Sequence, residues 1–217
     1  MGIINLTPDS FFEGSRVPTD KKSVLLEASK KIKEGADFLD LGGYSTRPGA
    51  ENISIEEEIN RVIPAILEIK NSFPETLISI DTFRSIIAKK CIENGACIVN
   101  DISAGSMDTR MFKTIAKLQV PYIIMHMQGT PKNMQSNPTY NDIVNEVLFY
   151  FSKKIVELRD LGVNDIITDV GFGFGKTLEH NYHLLKNLSL FKNLEVPILA
   201  GVSRKSMLFN WRESYRE

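Results

Sequence analysis

Residues 77–101 read LISIDTFRSIIAKKCIENGACIVND. The apolar run 77–81 ends on Asp81. A helical stretch around 85–94 follows and stops at Gly95, a residue suited to the left-handed turn past a helix end. A second apolar run, 97–101, ends on Asn100 and Asp101. This is strand, helix, strand. The helix carries the chain back, so the two strands are expected to lie parallel. Neither run alternates cleanly between polar and apolar, as expected of strands covered on both faces.

The same unit recurs in both directions. Further apolar runs lie at 2–5, 37–41, 121–126, 165–169 and 197–202. A helix over 21–34 starts after Asp20, a good N-cap, stops at Gly35, and repeats Val24, Ala28 and Ile32 on one side. Ser54-Ile55-Glu56-Glu57 is a capping box. The helix it opens puts Ile55, Ile59, Val62, Ile63, Ile66 and Ile69 on one face, and Pro64 is expected to kink it. Other helices are expected near 109–118, near 142–161 with its stop at Gly162, near 181–190, and from Lys205 onward.

About seven strand–helix units in sequence point to an α/β chain of the (β/α)8 TIM-barrel class. The polar residues at the strand ends decide against an open doubly wound sheet. Asn5, Asp40, Asp81, Asn100, Asp101, His126 and Asp169 would be strung along an edge in an open sheet, whereas in a barrel they converge on one mouth. Residues 210–217 read as charged helix, with no eighth strand. The expectation is therefore one domain over 1–217, with the eighth unit missing at the C-terminal end. No repeat, low-complexity tract or linker interrupts it.

Composition narrows the class. The 217 residues are 42% hydrophobic and 24% charged, ordinary for a soluble globular chain. Lys+Arg is 26 and Asp+Glu is 27, a net charge of −1, which argues against a broad nucleic-acid surface. No apolar run is long enough to span a bilayer, and the start has no signal-peptide zones. Cys91 and Cys97 have no metal-ligand spacing and read as reduced thiols of a cytoplasmic protein.

Several segments carry chemistry. Asn5-Leu6-Thr7-Pro8-Asp9-Ser10-Phe11-Phe12 is either a turn cluster or a loop that holds Asn5 at the mouth. In the second case its amide oxygen suits a hard cation such as Mg²⁺. Gly42-Gly43 leads into Thr46-Arg47-Pro48, a hydroxyl and a planar cation suited to phosphate or carboxylate, or else a solvated loop. Asp81, Asn100 and Asp169 end three strands; each serves as a helix cap or, together, they face a flat heterocycle rich in N–H donors. Gly171-Phe172-Gly173-Phe174-Gly175-Lys176-Thr177 fails the nucleotide phosphate-loop pattern by one residue, because position 170 is Val. Its glycines are better suited to hugging a ligand against Phe172 or Phe174. Gly201-Val202-Ser203-Arg204-Lys205-Ser206 opens a helix with a basic, hydroxyl-rich turn, either an anion site or a solvated cap. His126 reads as structural, and His180 and His183 lack ligand partners at useful spacing.

Taken together and in order, the segments 5–11, 40–50, 79–82, 99–105, 125–131, 169–177 and 201–206 resemble dihydropteroate synthase. The resemblance covers nearly the whole chain. It implies a transferase that condenses 7,8-dihydropterin pyrophosphate with p-aminobenzoate in folate synthesis. It places the pterin on Asp81, Asn100, Asp169 and Lys205, with Met125, Phe174 and Gly201 lining the pocket. It makes Asp81, Lys205 and Asn5 the catalytic group, with Mg²⁺ on Asn5. Thr46, Arg47 and Pro48 belong to a loop near p-aminobenzoate, with Ser206 opposite. Sulfonamides are the implied competitors at that site, and a homodimer is the implied assembly.

The sequence departs from the pattern in three places. Val170 stands where the family commonly has Pro, which is expected to loosen the turn carrying Asp169. Tyr44 is one of several residues common at its place. Nothing after Ser206 matches the family's terminal Arg-x-His segment. Two alternatives follow: a pterin-binding module of the corrinoid methyltransferase kind, and a shortened, inactive paralogue.

Overall fold

The computed structural model describes residues 1–7, 21–45, 52–131, 133–134, 136–205 and 207–208. All seven apolar runs form strands: β1 Gly2–Asn5, β2 Phe38–Gly42, β3 Leu77–Asp81, β4 Ile98–Asp101, β5 Tyr122–Met125, β6 Ile166–Asp169 and β7 Ile198–Leu199. Between them run α1 Lys21–Lys33, α2 Ile55–Ser72, α3 Ser85–Glu93, α4 Met111–Leu118, α5 Ile143–Asp160 and α6 Leu178–Lys186, with a 3-10 helix at Leu188–Leu194.

The strands form one sheet in the order β1-β2-β3-β4-β5-β6-β7, every pair parallel. The order never reverses, so the sheet has no switch point and is that of a (β/α) barrel wall.

Register sorts the side chains. Ile4, Leu39, Leu41, Ile78, Ile80, Val99, Tyr122 and Ile124 are fully buried in one core with Val24 and Ala28 of α1, Val62 and Ile66 of α2, Ile87 of α3 and Ile115 of α4. The alternate positions line the lumen. Asn5 pairs with Gly42, Gly42 with Asp81, Asp81 with Asn100 and Asn100 with Ile123, which makes one row at the mouth. One row below are Ile3, Asp40, Ser79 and Ile98.

Some expectations shift. The buried face of α2 is Glu58, Val62, Ala65, Ile66 and Ile69, while Ile55 is exposed. The stripe is rotated because Glu58 is drawn inward to Arg84. Ser54 does accept the Glu57 N–H at 3.0 Å, but the Glu57 carboxylate turns to Arg61. The helix runs through Pro64 to Ser72 as one element. α6 starts earlier than expected, at Leu178, because Thr177 and His180 cap each other reciprocally. The following residues tighten into the 3-10 helix. β7 is shorter than the run 197–202, since among the described residues it pairs only with β6. The caps and helix expected at Asp20 and at 210–217 lie outside the described residues.

Candidate functional site at the barrel mouth

Asn5 ends β1, Asp81 ends β3 and Asn100 lies on β4. Gly42 sits between the first two. A Cβ there would meet Asp81 Oδ2 at 3.5 Å and Asn5 Oδ1 at 3.6 Å, so two oxygens flank the space over the glycine. Beneath them Asp40 Oδ2 accepts the Asn100 Nδ2 hydrogen at 3.0 Å. Burial raises the Asp40 carboxyl, with Ser79 and Asn100 pulling it back down. Asp81 is pushed well above the usual carboxylate range by burial, then by the charges of Asp40, Asp101 and Glu58. This floor therefore favours ligands that bring N–H donors or positive charge to it.

Asp101 does not join the floor. It follows Asn100 along the strand and faces the other way, into the core. There its carboxylate accepts from Ser103 N and Oγ, Gly105 N and the Tyr122 hydroxyl at 2.6–2.8 Å. It holds the turn after β4.

The opposite wall comes from β5, β6 and the chain after β7. Met125 is buried at the end of β5. Asp169 Oδ1 accepts the Gly171 N–H at 2.9 Å. Burial raises its pKa, while that bond, Lys205 and Lys176 lower it. Val170 is fully buried in the core, and the turn it was expected to loosen is closed by the same Gly171 bond. Lys205 Nζ stands 4.5 Å from the centroid of the Phe174 ring. Burial lowers the Lys205 ammonium and Asp169 raises it. Gly201 is exposed, and a Cβ there would come within 3.7 Å of Asp169 Oδ2.

The glycine-rich turn is tight by necessity. At Gly171 φ is +70°, and a Cβ would lie 2.1 Å from the His126 carbonyl oxygen. Lys176 is buried, and its Nζ donates to the carbonyls of His126 and Gly171 at 3.0 Å and of Phe174 at 2.9 Å. His126 is buried, and its Nδ1 finds no hydrogen-bond partner among the described residues. It packs edge-on against Tyr150, and burial, with Lys176 adding to it, pushes its pKa down to about 3. His180 caps α6, and His183 is exposed on the same helix.

A second network braces the rim. Buried Glu58 accepts from Thr82 Oγ1 at 2.8 Å and Arg84 Nη1 at 2.8 Å. Arg84 Nη2 also donates to Ile53 O at 2.8 Å, and its guanidinium lies 5.1 Å from the Tyr44 ring centroid. Tyr44 and Ile53 stand on either side of the stretch that contains Thr46, Arg47 and Pro48. Those three residues and Ser206 lie outside the described residues. Asp40 was expected at the mouth but given no role there, and Lys176, Glu58 and Arg84 are the members that sequence reading left out of the site.

Metal fit is limited but positive. Among the described residues no three His, Cys, Asp or Glu side chains are grouped to hold an ion. Asn5 does present a hard amide oxygen beside Asp81 Oδ2 at the mouth. That suits Mg²⁺, which commonly takes one or two protein oxygens and completes its shell with water and substrate phosphates.

The sequence pattern of a family described as pterin binding enzyme matches residues 1–217. The dihydropteroate synthase of Haemophilus influenzae is 41% identical over 210 residues, 96% of this chain and 75% of that protein. A Yersinia pestis dihydropteroate synthase, solved with a sulfonamide drug complex, superposes with a TM-score of 0.92 at 38% identity. That match covers 98% of this chain and 77% of the other. The Xanthomonas albilineans dihydropteroate synthase in complex with 7,8-dihydropteroate gives a TM-score of 0.82 at 34% identity, covering all of this chain and 76% of that one.

Proposed function

The chain belongs to the dihydropteroate synthases, transferases of folate synthesis within the pterin-binding enzymes, and from that premise we propose how its own residues carry the reaction. The mouth takes 7,8-dihydropterin pyrophosphate and p-aminobenzoate and releases 7,8-dihydropteroate and pyrophosphate. What supports this reading is that Asp81 pairs with Asn100 on adjacent strands, Asn100 bonds Asp40, and both Asp40 and Lys205, from the chain after β7, act electrostatically on Asp169.

A dihydropterin is flat, with N–H donors along one edge and a ring carbonyl. Asp81 and Asp169 accept its N–H groups. Lys205 donates to the carbonyl. Asn100 gives one Nδ2 hydrogen to Asp40 and keeps its Oδ1 and its second N–H for the ring. Phe174 and Met125 pack against the ring. When the bond from the pterin methylene to the pyrophosphate oxygen breaks, the electron pair leaves with the oxygen. Positive charge then develops on the methylene and ring, and the carboxylate of Asp81 stabilises it. The amine of p-aminobenzoate forms the new C–N bond with its lone pair and gives up a proton to solvent.

Asn5 would hold Mg²⁺ through its amide oxygen. The ion, when bound, neutralises charge on the pyrophosphate. Thr46, Arg47, Pro48 and Ser206 take p-aminobenzoate on the strength of the resemblance. Arg84 supports that role by bracing Tyr44 and Ile53, which flank the stretch. The reading extends to a cytoplasmic homodimer. Free thiols at Cys91 and Cys97 fit a reducing compartment, and no helix among the described residues is long and apolar enough to cross a membrane.

The test mixes the chain with dihydropterin pyrophosphate, p-aminobenzoate and Mg²⁺ and looks for dihydropteroate by chromatography. Product is expected. Dihydropterin binding without product removes the catalytic part of the proposal, and failure to bind dihydropterin removes all of it.

A further inference from the structure

Lys176 is a buried cation with no carboxylate within salt-bridge distance among the described residues. An ammonium carries three donors and no acceptor. Here three carbonyl oxygens receive those donors, at 3.0, 3.0 and 2.9 Å. A neutral amine would turn its lone pair toward one of those oxygens, so the cradle selects the charged form. Burial pulls the other way, lowering the group to about 7, and Asp169 draws it back up.

The identity of the three carbonyls matters. His126 directly follows Met125. Gly171 is the residue whose N–H holds Asp169. Phe174 is itself the pocket's aromatic residue. One ammonium therefore ties together the backbone beneath three pocket residues from two different loops. The left-handed glycines at 171, 173 and 175 let the turn curl around it, with φ of +70°, +80° and +60°. A Cβ at 175 would strike the Gln128 backbone at 2.9 Å, so the turn is pressed against the loop after β5.

We propose that Lys176 is a positioning residue of the pterin pocket, whose ammonium fixes Met125, Asp169 and Phe174 relative to one another without touching the ligand. This deepens the pterin-binding reading and rests on it.

The experiment measures 7,8-dihydropterin affinity by calorimetry on the whole chain. Lys176→Ala, checked for fold by circular dichroism, is expected to bind about 30-fold more weakly, the equivalent of about two lost hydrogen bonds. Added n-propylammonium, which supplies the deleted ammonium, is expected to recover about tenfold of that loss, whereas n-propanol recovers none. Binding by Lys176→Ala within about threefold of the unsubstituted chain overturns the proposal, as does equal recovery by propanol, since that would be a packing effect. Should Lys176→Ala not fold, Lys176→Gln, with two N–H donors, decides in the same assay: affinity equal to the unsubstituted chain overturns the proposal. An unsubstituted chain that binds no dihydropterin instead brings down the functional reading itself.

Discussion

Replacing Arg84 by Met keeps most of the side chain's bulk and removes its charge. Two bonds go. The charge-assisted bond to Glu58, 2.8 Å long, is worth about 1.5–3 kcal/mol, and the bond to Ile53 O about 0.5–1.5 kcal/mol. Arg84 keeps some solvent contact, with its side chain 18% exposed, so the lower half of the summed range applies: about 3 kcal/mol. The loss should depend on pH. Glu58 is fully buried and its pKa is already raised above 4.5 by burial, against the pull of Thr82 and Arg84. Without Arg84 it rises further. A carboxyl whose folded pKa exceeds its unfolded value costs nothing below the unfolded value, where both states are protonated. Its stabilising contribution is lost as pH rises through the folded value. Urea unfolding of Arg84→Met followed by circular dichroism should therefore show the full deficit near about pH 8 and a smaller one near about pH 5. A deficit below about 1 kcal/mol, or one no smaller at the lower pH, refutes the view that Glu58 is a buried charge held by Arg84.

Asp81→Asn should reduce dihydropterin affinity by at least about 100-fold, read by calorimetry, because an N–H acceptor and a charge at the floor are both lost; retained tight binding removes Asp81 from the pocket. Asn5→Ala, or chelation of Mg²⁺, should weaken dihydropterin pyrophosphate while leaving dihydropterin within about twofold; equal losses on both ligands would argue against a metal at Asn5. His126 is neutral in the fold, with a pKa pushed down to about 3, so the unfolded chain takes up a proton that the fold refuses as pH falls below 6.5. His126→Phe should consequently flatten the acid limb of the stability curve, by at most about 2–3 kcal/mol at two units below the unfolded value. An unchanged acid limb would mean that His126 titrates normally.

How far the sequence revealed this molecule depends on which groups carry the information. Strand runs such as Leu77–Asp81 were legible because the outer face is packed under helices and the row of lumen residues ends on polar groups. Their alternation was hidden in Ser79 and Asp40, polar lumen residues that are themselves buried. The error over Asp101 was avoidable. Neighbouring strand residues face opposite sides, so Asn100 and Asp101 could not both reach the mouth. The α2 stripe was misjudged because hydrophobicity alone ranks Ile55 above Glu58, and only a partner 26 residues on makes Glu58 the buried one. The early start of α6 was missed because His180 fills the capping position usually read for Glu or Gln.

Lys176 marks the deeper limit. Its partners are three backbone carbonyls, which every residue type possesses, so no side-chain pattern announces them. What the sequence did carry was the alternation of glycines before it, whose left-handed conformations fold the turn tightly enough for one ammonium to reach both Gly171 and Phe174. Read as a phosphate loop, that glycine pattern fails. In the structure the same turn points the Gly171 and Phe174 carbonyls inward, where Lys176 supplies their donors. The cation that a phosphate loop would turn outward to an anion is turned inward here, and the pocket face of the loop is left to Phe174 and Lys205.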